Sequence, residues 1–296
     1  MRRLAASALS DYAAPPLKHS EELLQSLDQA AAQTAGQGEW THLSAEIAGA
    51  LREHGANEFL RLAPIAKTVH PRIRSAGPGY RNYVFRSARF TPALQKALTE
   101  SPVGKPLLNP YYPLSSPLLM QHAYHLIRLL EATDLEVSRL GLVADFGAGY
   151  GSFFRLLRNL GYQGRYLICD LPAMCALQRF YLRNLFPSGP AGEAPANLQW
   201  VTQDIPQRLE AASAEHRPSL FVATWSLSET PPAVRAAVAP ALAGFTYVLC
   251  AYQRLFAGSD NVRYFQALEQ SLPQFAWRHA ECDVYRNNFY LIGRRR

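Results

Sequence analysis

Six residues in this sequence have types and spacing that could do chemistry together. Gly147, Gly149 and Gly151 lie within VADFGAGYGSFF, Val143 to Phe154, where an apolar run meets a glycine turn and then a helical pattern. Asp145 stands two residues before the first glycine, Asp170 stands 19 residues after the last, and Asp204 closes the apolar run after that. A strand, a glycine turn and a helix in this order let backbone approach a ligand closely and aim the helix's first N–H groups at it. Acids at the ends of successive strands can then accept hydrogen bonds from the ligand's hydroxyls and exocyclic nitrogen.

The spacing is GxGxG rather than the GxGxxG of the dinucleotide fingerprint. In the dinucleotide case the turn meets a pyrophosphate. A carboxylate beside the turn, here Asp145, would repel a pyrophosphate and suits a positive amino group, directly or through water. That favours S-adenosylmethionine over NAD. The expected cofactor set is Asp145, Gly147, Ala148, Gly149 and Tyr150 at the turn, Asp170 and Leu171 at the ribose, Gln203 and Asp204 at the adenine edge, and Thr224, Trp225 and Ser226 at the fourth strand. No metal site is expected. The four cysteines, at 169, 175, 250 and 282, form no CxxC pair and read as reduced thiols packed in a core.

These residues must be carried by strands and helices in alternation. From Gly141 onward LVADFG, RYLICDLP, LQWVTQDIP, SLFVATWSLSE and FTYVLCAYQ read as strands, and GSFFRLLRNLG, AMCALQRFYLRNLF, PPAVRAAVAPAL and DNVRYFQALEQSL as helices. FAWRHAECDVY and NNFYLIGRR read as a final antiparallel pair turning at Arg286-Asn287-Asn288. The alternation predicts an α/β fold with a Rossmann-like, mostly parallel sheet, a final antiparallel strand and helices on both faces. Ligands of such sheets sit at the strands' carboxyl ends, where the strand order reverses. Residues 1–118 lack this rhythm and predict a mainly helical region preceding a ligand-binding domain at 119–296. Within it, SEELLQSLDQAAAQ is a helix capped by Ser20, HLSAEIAGALREHGANEFLRLAPIA a second capped by Ser44 and stopped at His54-Gly55, Gly77-Pro78-Gly79 a turn and Pro102 to Pro117 an ordered loop; SPLLMQHAYHLIRLLEA, from Ser116, is a strong amphipathic helix leading into the second domain.

The chain has 296 residues, enough for one large domain or a compact domain with an extension. There is no uninterrupted run of about 18 apolar residues, and hence no transmembrane helix is expected. The leading MRRLAASALSDYAAPP is broken by Ser7, Ser10 and Asp11 and does not read as a secretory signal, which predicts a cytoplasmic protein. The net charge of +7 raises the question of a nucleic-acid partner. Five of the arginines lie at the extreme ends, Arg2, Arg3 and Arg294 to Arg296, and the remaining basic residues are scattered without an aromatic stripe. Dedicated RNA or DNA binding is therefore not expected.

DFGAGYG resembles the first motif of the class I S-adenosylmethionine-dependent methyltransferases, and ICDLP resembles their second; the likeness covers Gly141 to about Arg294. DLPAMCALQRFYL, FVATWSLSETPP and the ending NNFYLIGR are similar to a bacterial sugar O-methyltransferase family, as are, more loosely, NEFLRLAPIAKT and SSPLLMQHAYHLIRL upstream. In that family the fourth-strand segment reads like NTYSxSEM; here Thr224, Ser226, Ser228 and Glu229 match, and Trp225 stands for the tyrosine. The resemblance implies the fold, the S-adenosylmethionine cofactor and O-methylation of a sugar, nucleotide sugar or related small molecule.

A hydroxyl acceptor must lose its proton to a base or a metal. Glu229, after the fourth strand, and His279, in FAWRHAECD, are the expected catalytic residues. Each has a plainer role open to it, Glu229 as an acid at a helix N-terminus and His279 as a structural strand residue. His122 and His125 share a helix face and read as packing residues or as an edge of the cleft. GPGYRNYVFRSARF and NPYYPLSS would form a lid, and the N-terminal region would cover the substrate side and build a homodimer. Two other readings stay open. An RNA or protein methyltransferase is disfavoured by ATWSLSET in place of an N/D-PPY segment and by the absence of lysine after Lys105. A non-catalytic cofactor-binding interaction protein would keep the same glycines and acids.

Overall fold

The computed structural model describes residues 17–33, 42–69, 73–186 and 195–296. Residues 1–16, with Arg2 and Arg3, lie outside them. The chain forms two compact units. One comprises the described residues up to Tyr124 with Gly149–Leu156 and Leu171–Ala196; the other comprises His125–Ala148, Leu157–Asp170 and Asn197–Arg296.

The second unit holds a seven-stranded sheet in the order β3-β2-β1-β4-β5-β9-β8. Its strands are β1 (Leu142–Phe146), β2 (Arg165–Cys169), β3 (Leu198–Val201), β4 (Ser219–Thr224), β5 (Tyr247–Gln253), β8 (Phe275–Glu281) and β9 (Asn288–Arg295). The pairs from β3 to β5 are parallel, and β9 runs antiparallel to both β5 and β8. This is the mostly parallel, Rossmann-like sheet with a final antiparallel strand that the alternation predicts. The order reverses between β1 and β4, and the carboxyl ends of the strands beside such a reversal are where sheets of this kind receive ligands. All five residues of β1 are buried, as a parallel strand covered on both faces requires. One face carries Leu142, Ala144, Phe146, Leu167, Cys169, Phe221, Val248, Cys250 and Leu291 in a single apolar cluster. Strand alternation sends Asp145, Tyr166, Val222, Thr224 and Tyr290 to the other face. All four cysteines are buried.

The first unit contains α1 (Ser20–Gln33), α2 (Leu43–His54), α3 (Ala63–Val69), α4 (Ile73–Arg86) and α5 (Pro92–Ala97), together with α8 (Pro172–Leu185) and the start of α7 (Ser152–Asn159). Helix α6 (Pro117–Ala132) precedes β1. Phe59 meets Phe180 edge-on at 5.5 Å, and Tyr150 meets Tyr181 at 4.9 Å. Arg155 and Glu100 form an ion pair at 2.8 Å with side chains only 6% and 1% exposed. Among the described residues no helix is long and apolar enough to cross a membrane.

Several local expectations are corrected. Gly77-Pro78-Gly79 is not a turn but lies inside α4. An internal proline forfeits a backbone hydrogen bond and costs about 3 kcal/mol. Burial outweighs it: Tyr80 and Val84 are fully buried, and the Tyr80 and Tyr83 rings both pack on Tyr124, at 5.1 and 4.8 Å. Ser20 and Ser44 are not caps. Leu23 N bonds to His19 O, which moves the cap one residue earlier, and Ser44 is buried inside a helix capped at His42. The third strand ends at Val201, before Asp204. The fourth ends at Thr224, because Trp225 takes φ 65° and opens the one-turn α10 (Ser226–Glu229). A hairpin of β6 (Leu255–Phe256) and β7 (Ser259–Asp260) has no counterpart in the sequence reading; Ala257 and Gly258, at φ 46° and 79°, make its turn.

Candidate functional site

The glycine turn is built by conformations that only glycine enters cheaply. Gly147, Gly149 and Gly151 have φ of 75°, 60° and 94°. Gly147 N donates to Cys169 O at 2.9 Å, which ties the turn to the end of β2. A Cβ at 147 would run into Ser226, lying 2.8 Å from its Oγ and closer still to its Cβ. The Ser226 hydroxyl donates in turn to Phe146 O. The ends of β1 and β4 are thereby locked together at the switch point. Within the turn Ala148 is buried, and Tyr150 is fully buried, so its side chain is committed to packing.

Asp145 is 3% exposed, a costly place for a carboxylate. Burial pushes its carboxyl up to about 7 and the nearby Asp170 adds to the rise, while a 2.6 Å hydrogen bond from the Tyr166 hydroxyl works against it. Asp170 follows β2 directly and is half-buried, its N donating to Val201 O at 3.2 Å; Leu171 follows it and precedes α8. Asp145 and Asp170 are thus brought together on one side of the reversal. Gln203 and Asp204 lie in the turn after β3 and are exposed, with Asp204 in the left-handed region at φ 50° as the residue before α9 (Ile205–Glu215).

Trp225, like Asp204, is a non-glycine residue at positive φ, and three contacts hold it there. Its N donates to Ala251 O at 2.7 Å, its indole Nε1 donates to Asn288 Oδ1 at 2.7 Å, and its ring stands 5.2 Å from that of His125. Backbone strain held by so many contacts is characteristic of functional sites. His125 also hydrogen-bonds the Tyr290 hydroxyl. His122, one turn earlier, is pushed down to about 3 by burial and carries no charge at neutral pH.

Glu229 ends α10 and accepts from Gln253 Nε2 at 3.1 Å. A polar network fixes that position. Ser228 Oγ donates to Gln253 Oε1 at 2.9 Å, and Asn261 Nδ2 donates to Gln253 O at 3.0 Å. The Arg235 guanidinium donates to Asn261 Oδ1 and to the carbonyls of Ser228 and Thr230, on either side of Glu229. Arg235 is 4% exposed, and burial lowers its pKa from the usual arginine range. The sequence reading missed Arg235, Gln253, Asn261 and Tyr166. Nothing in their spacing marks them, because each acts through a partner distant in sequence.

The structure does not bring His279 to this group. It is level with Leu291 of β9 and, through it, with Cys250 of β5, so it sits four strands from β1, about 19 Å at the usual strand spacing. Its side chain belongs to the face opposite Asp145, where Nε2 shares a 2.9 Å hydrogen bond with the Tyr252 hydroxyl and Nδ1 lies 3.4 Å from Glu269.

No protein-family model and no curated protein matches this sequence. Solved structures do. An O-methyltransferase family protein from Burkholderia thailandensis is 13% identical, with 86% of this chain and 72% of that one covered, at a TM-score of 0.42. The precorrin-6y C5,15-methyltransferase from Geobacter metallireducens is 15% identical over 59% of this chain and 87% of its own, at 0.39. The methyltransferase domain of a bacterial CtHen1 is 11% identical over 59% and 97%, at 0.41. With identities this low, what the chain binds and does is read from its own residues.

Proposed function

We propose that this chain is an S-adenosylmethionine-dependent methyltransferase acting on a hydroxyl of a sugar, nucleotide sugar or related small molecule. The observation that carries the reading is the pair of acids, Asp145 and Asp170, beside a three-glycine turn at the reversal point of the sheet. Asp170 would accept the two ribose hydroxyls. Asp145 would meet the ammonium group, whose positive charge offsets the burial that otherwise opposes an ionised carboxylate. Backbone amides of the Gly147–Gly151 turn would approach the amino-acid portion closely, and Gln203 and Asp204 would meet the adenine edge. When bound, the cofactor supplies an electrophilic methyl group on a sulfonium leaving group.

The chain's own contribution is then positioning and proton removal. Glu229 is the base this reading favours: it lies just past β4, and the Arg235, Asn261 and Gln253 network limits its freedom. His279 would have to act from the opposite face of the sheet, which disfavours it. The sugar-like acceptor rests on the sequence resemblance alone.

Calorimetric titration with S-adenosylhomocysteine, beside NAD, tests the cofactor. Micromolar binding of the first and none of the second is expected. Asp170→Ala, which removes a charged acceptor from two hydroxyls, should weaken binding roughly 100-fold. Binding of NAD, or of neither ligand, would overturn the reading. Glu229→Gln should keep S-adenosylhomocysteine affinity within about twofold and cost roughly 100-fold to 10,000-fold in turnover, measured as methyl transfer from labelled S-adenosylmethionine to a panel of sugars and nucleotide sugars. Undiminished turnover would remove Glu229 from the reaction.

A further inference from the structure

We infer that Tyr166 is a positioning residue for the cofactor's ammonium group, acting through Asp145: its hydroxyl holds one carboxylate oxygen and leaves the other to the ligand. The inference rests on the cofactor reading above. Tyr166 lies on β2 opposite Val143, so Asp145 is its diagonal neighbour on the same face of the sheet. Its side chain is fully buried, and the hydroxyl donates to Oδ2 of Asp145 at 2.6 Å. That is the hydrogen bond the carboxylate receives among the described residues. The ring is braced by Tyr162, edge-on at 6.2 Å, whose own hydroxyl is engaged by Arg165 O.

A structural role alone would not call for this hydroxyl. Phenylalanine would fill the same buried strand position without a polar atom to satisfy. The hydroxyl is given instead to an acid that has another acid, Asp170, for a neighbour. A donor there does two things for ligand binding. It favours the ionised carboxylate that an ammonium group needs, and it fixes the side-chain rotamer so that the second oxygen has one position rather than several.

The test compares two ligands that differ in the ammonium group. S-adenosylhomocysteine carries it; 5′-methylthioadenosine keeps the adenosine and the sulfur and lacks the amino-acid portion. Both are titrated by calorimetry into the full-length wild type, Tyr166→Phe, Asp145→Asn and the double variant. Tyr166→Phe should weaken S-adenosylhomocysteine roughly tenfold and leave 5′-methylthioadenosine within about twofold. In the Asp145→Asn background, adding Tyr166→Phe should change S-adenosylhomocysteine affinity by less than about twofold, since the hydroxyl then has no carboxylate to act through. Equal weakening of both ligands by Tyr166→Phe would mean a structural role and would overturn the inference; so would no weakening of either. If Tyr166→Phe fails to fold, Asp145→Asn alone decides, because a loss shared by both ligands there would leave Tyr166 nothing ligand-specific to position. Failure of wild type to bind S-adenosylhomocysteine would instead count against the cofactor reading, so the two failures are distinguishable.

Discussion

Asp145→Asn should make the unliganded protein more stable at pH 8 and weaken its binding of S-adenosylhomocysteine roughly 100-fold. The sign follows from the direction of the pKa change. The folded carboxyl titrates at about 7 against an ordinary value of 3.8. Below the lower value both folded and unfolded chains hold the proton, and stability does not depend on this group. Between the two values the unfolded chain has lost its proton while the folded chain keeps it, so stability falls as pH rises. Above about 7 the whole cost is present. A gap of this width corresponds to roughly 4 kcal/mol, an upper figure because part of it would be relieved by local adjustment. Asparagine is neutral, keeps the shape and can still accept from Tyr166. Thermal unfolding of variant and wild type at pH 4 and pH 8 checks this. The variant should gain roughly 2–4 kcal/mol at the higher pH and little at the lower. The same substitution removes the counter-charge of the ammonium, and affinity should fall roughly 100-fold. Wild type should also release a proton on binding near pH 6, seen as a buffer-dependent heat, and the variant should not. A variant less stable than wild type at both pH values would show that Asp145 is held ionised by interactions of another kind.

A buried acid whose burial costs stability is what the sequence could mark only by type. The strands β1, β2 and β4, the three glycines and the acids at 145 and 170 were legible because each depends on local grammar: an apolar run, a turn that only glycine enters, a polar residue where the run stops. The burial of Asp145, its partner Tyr166 and its neighbour Asp170 were not. Tyr166 is 21 residues away and becomes a partner only through the register of β1 against β2. For the same reason residue type made His279 a candidate beside Glu229. Its type suits a base, but residue type does not say which face of the sheet, or which strand from the switch point, a side chain occupies. Ser20 and Ser44 failed as caps, and Pro78 failed as a turn, where the demands of packing overrode local preference. Trp225 and Asp204 are a different case. Tryptophan's type does not predict a left-handed backbone and aspartate only tolerates one better than most residues; both adopt it past the carboxyl ends of β4 and β3.

Gly147→Ala should be the most damaging single-methyl change in the site. Two costs add. At φ 75° a residue with a Cβ is strained by about 1–2 kcal/mol relative to glycine. The new methyl would also overlap the Ser226 Cβ, and forcing an extra group into a packed contact costs about 1–3 kcal/mol. Urea unfolding should therefore report a loss of roughly 2–5 kcal/mol. The two costs can be separated. Ser226→Gly takes away the atom that collides, so in Gly147→Ala/Ser226→Gly the steric part should vanish while the conformational part stays. The coupling between the two sites should then be favourable by roughly 1–3 kcal/mol. Binding should not recover with stability. The double variant still has a side chain in the turn and no longer has the Ser226 hydroxyl that ties β4 to Phe146 O. Its S-adenosylhomocysteine affinity should remain at least about tenfold below wild type even where it is fully folded. Recovery of both together would mean that the glycine is needed for packing against Ser226 alone, and that the close approach of backbone to ligand is made elsewhere along the turn.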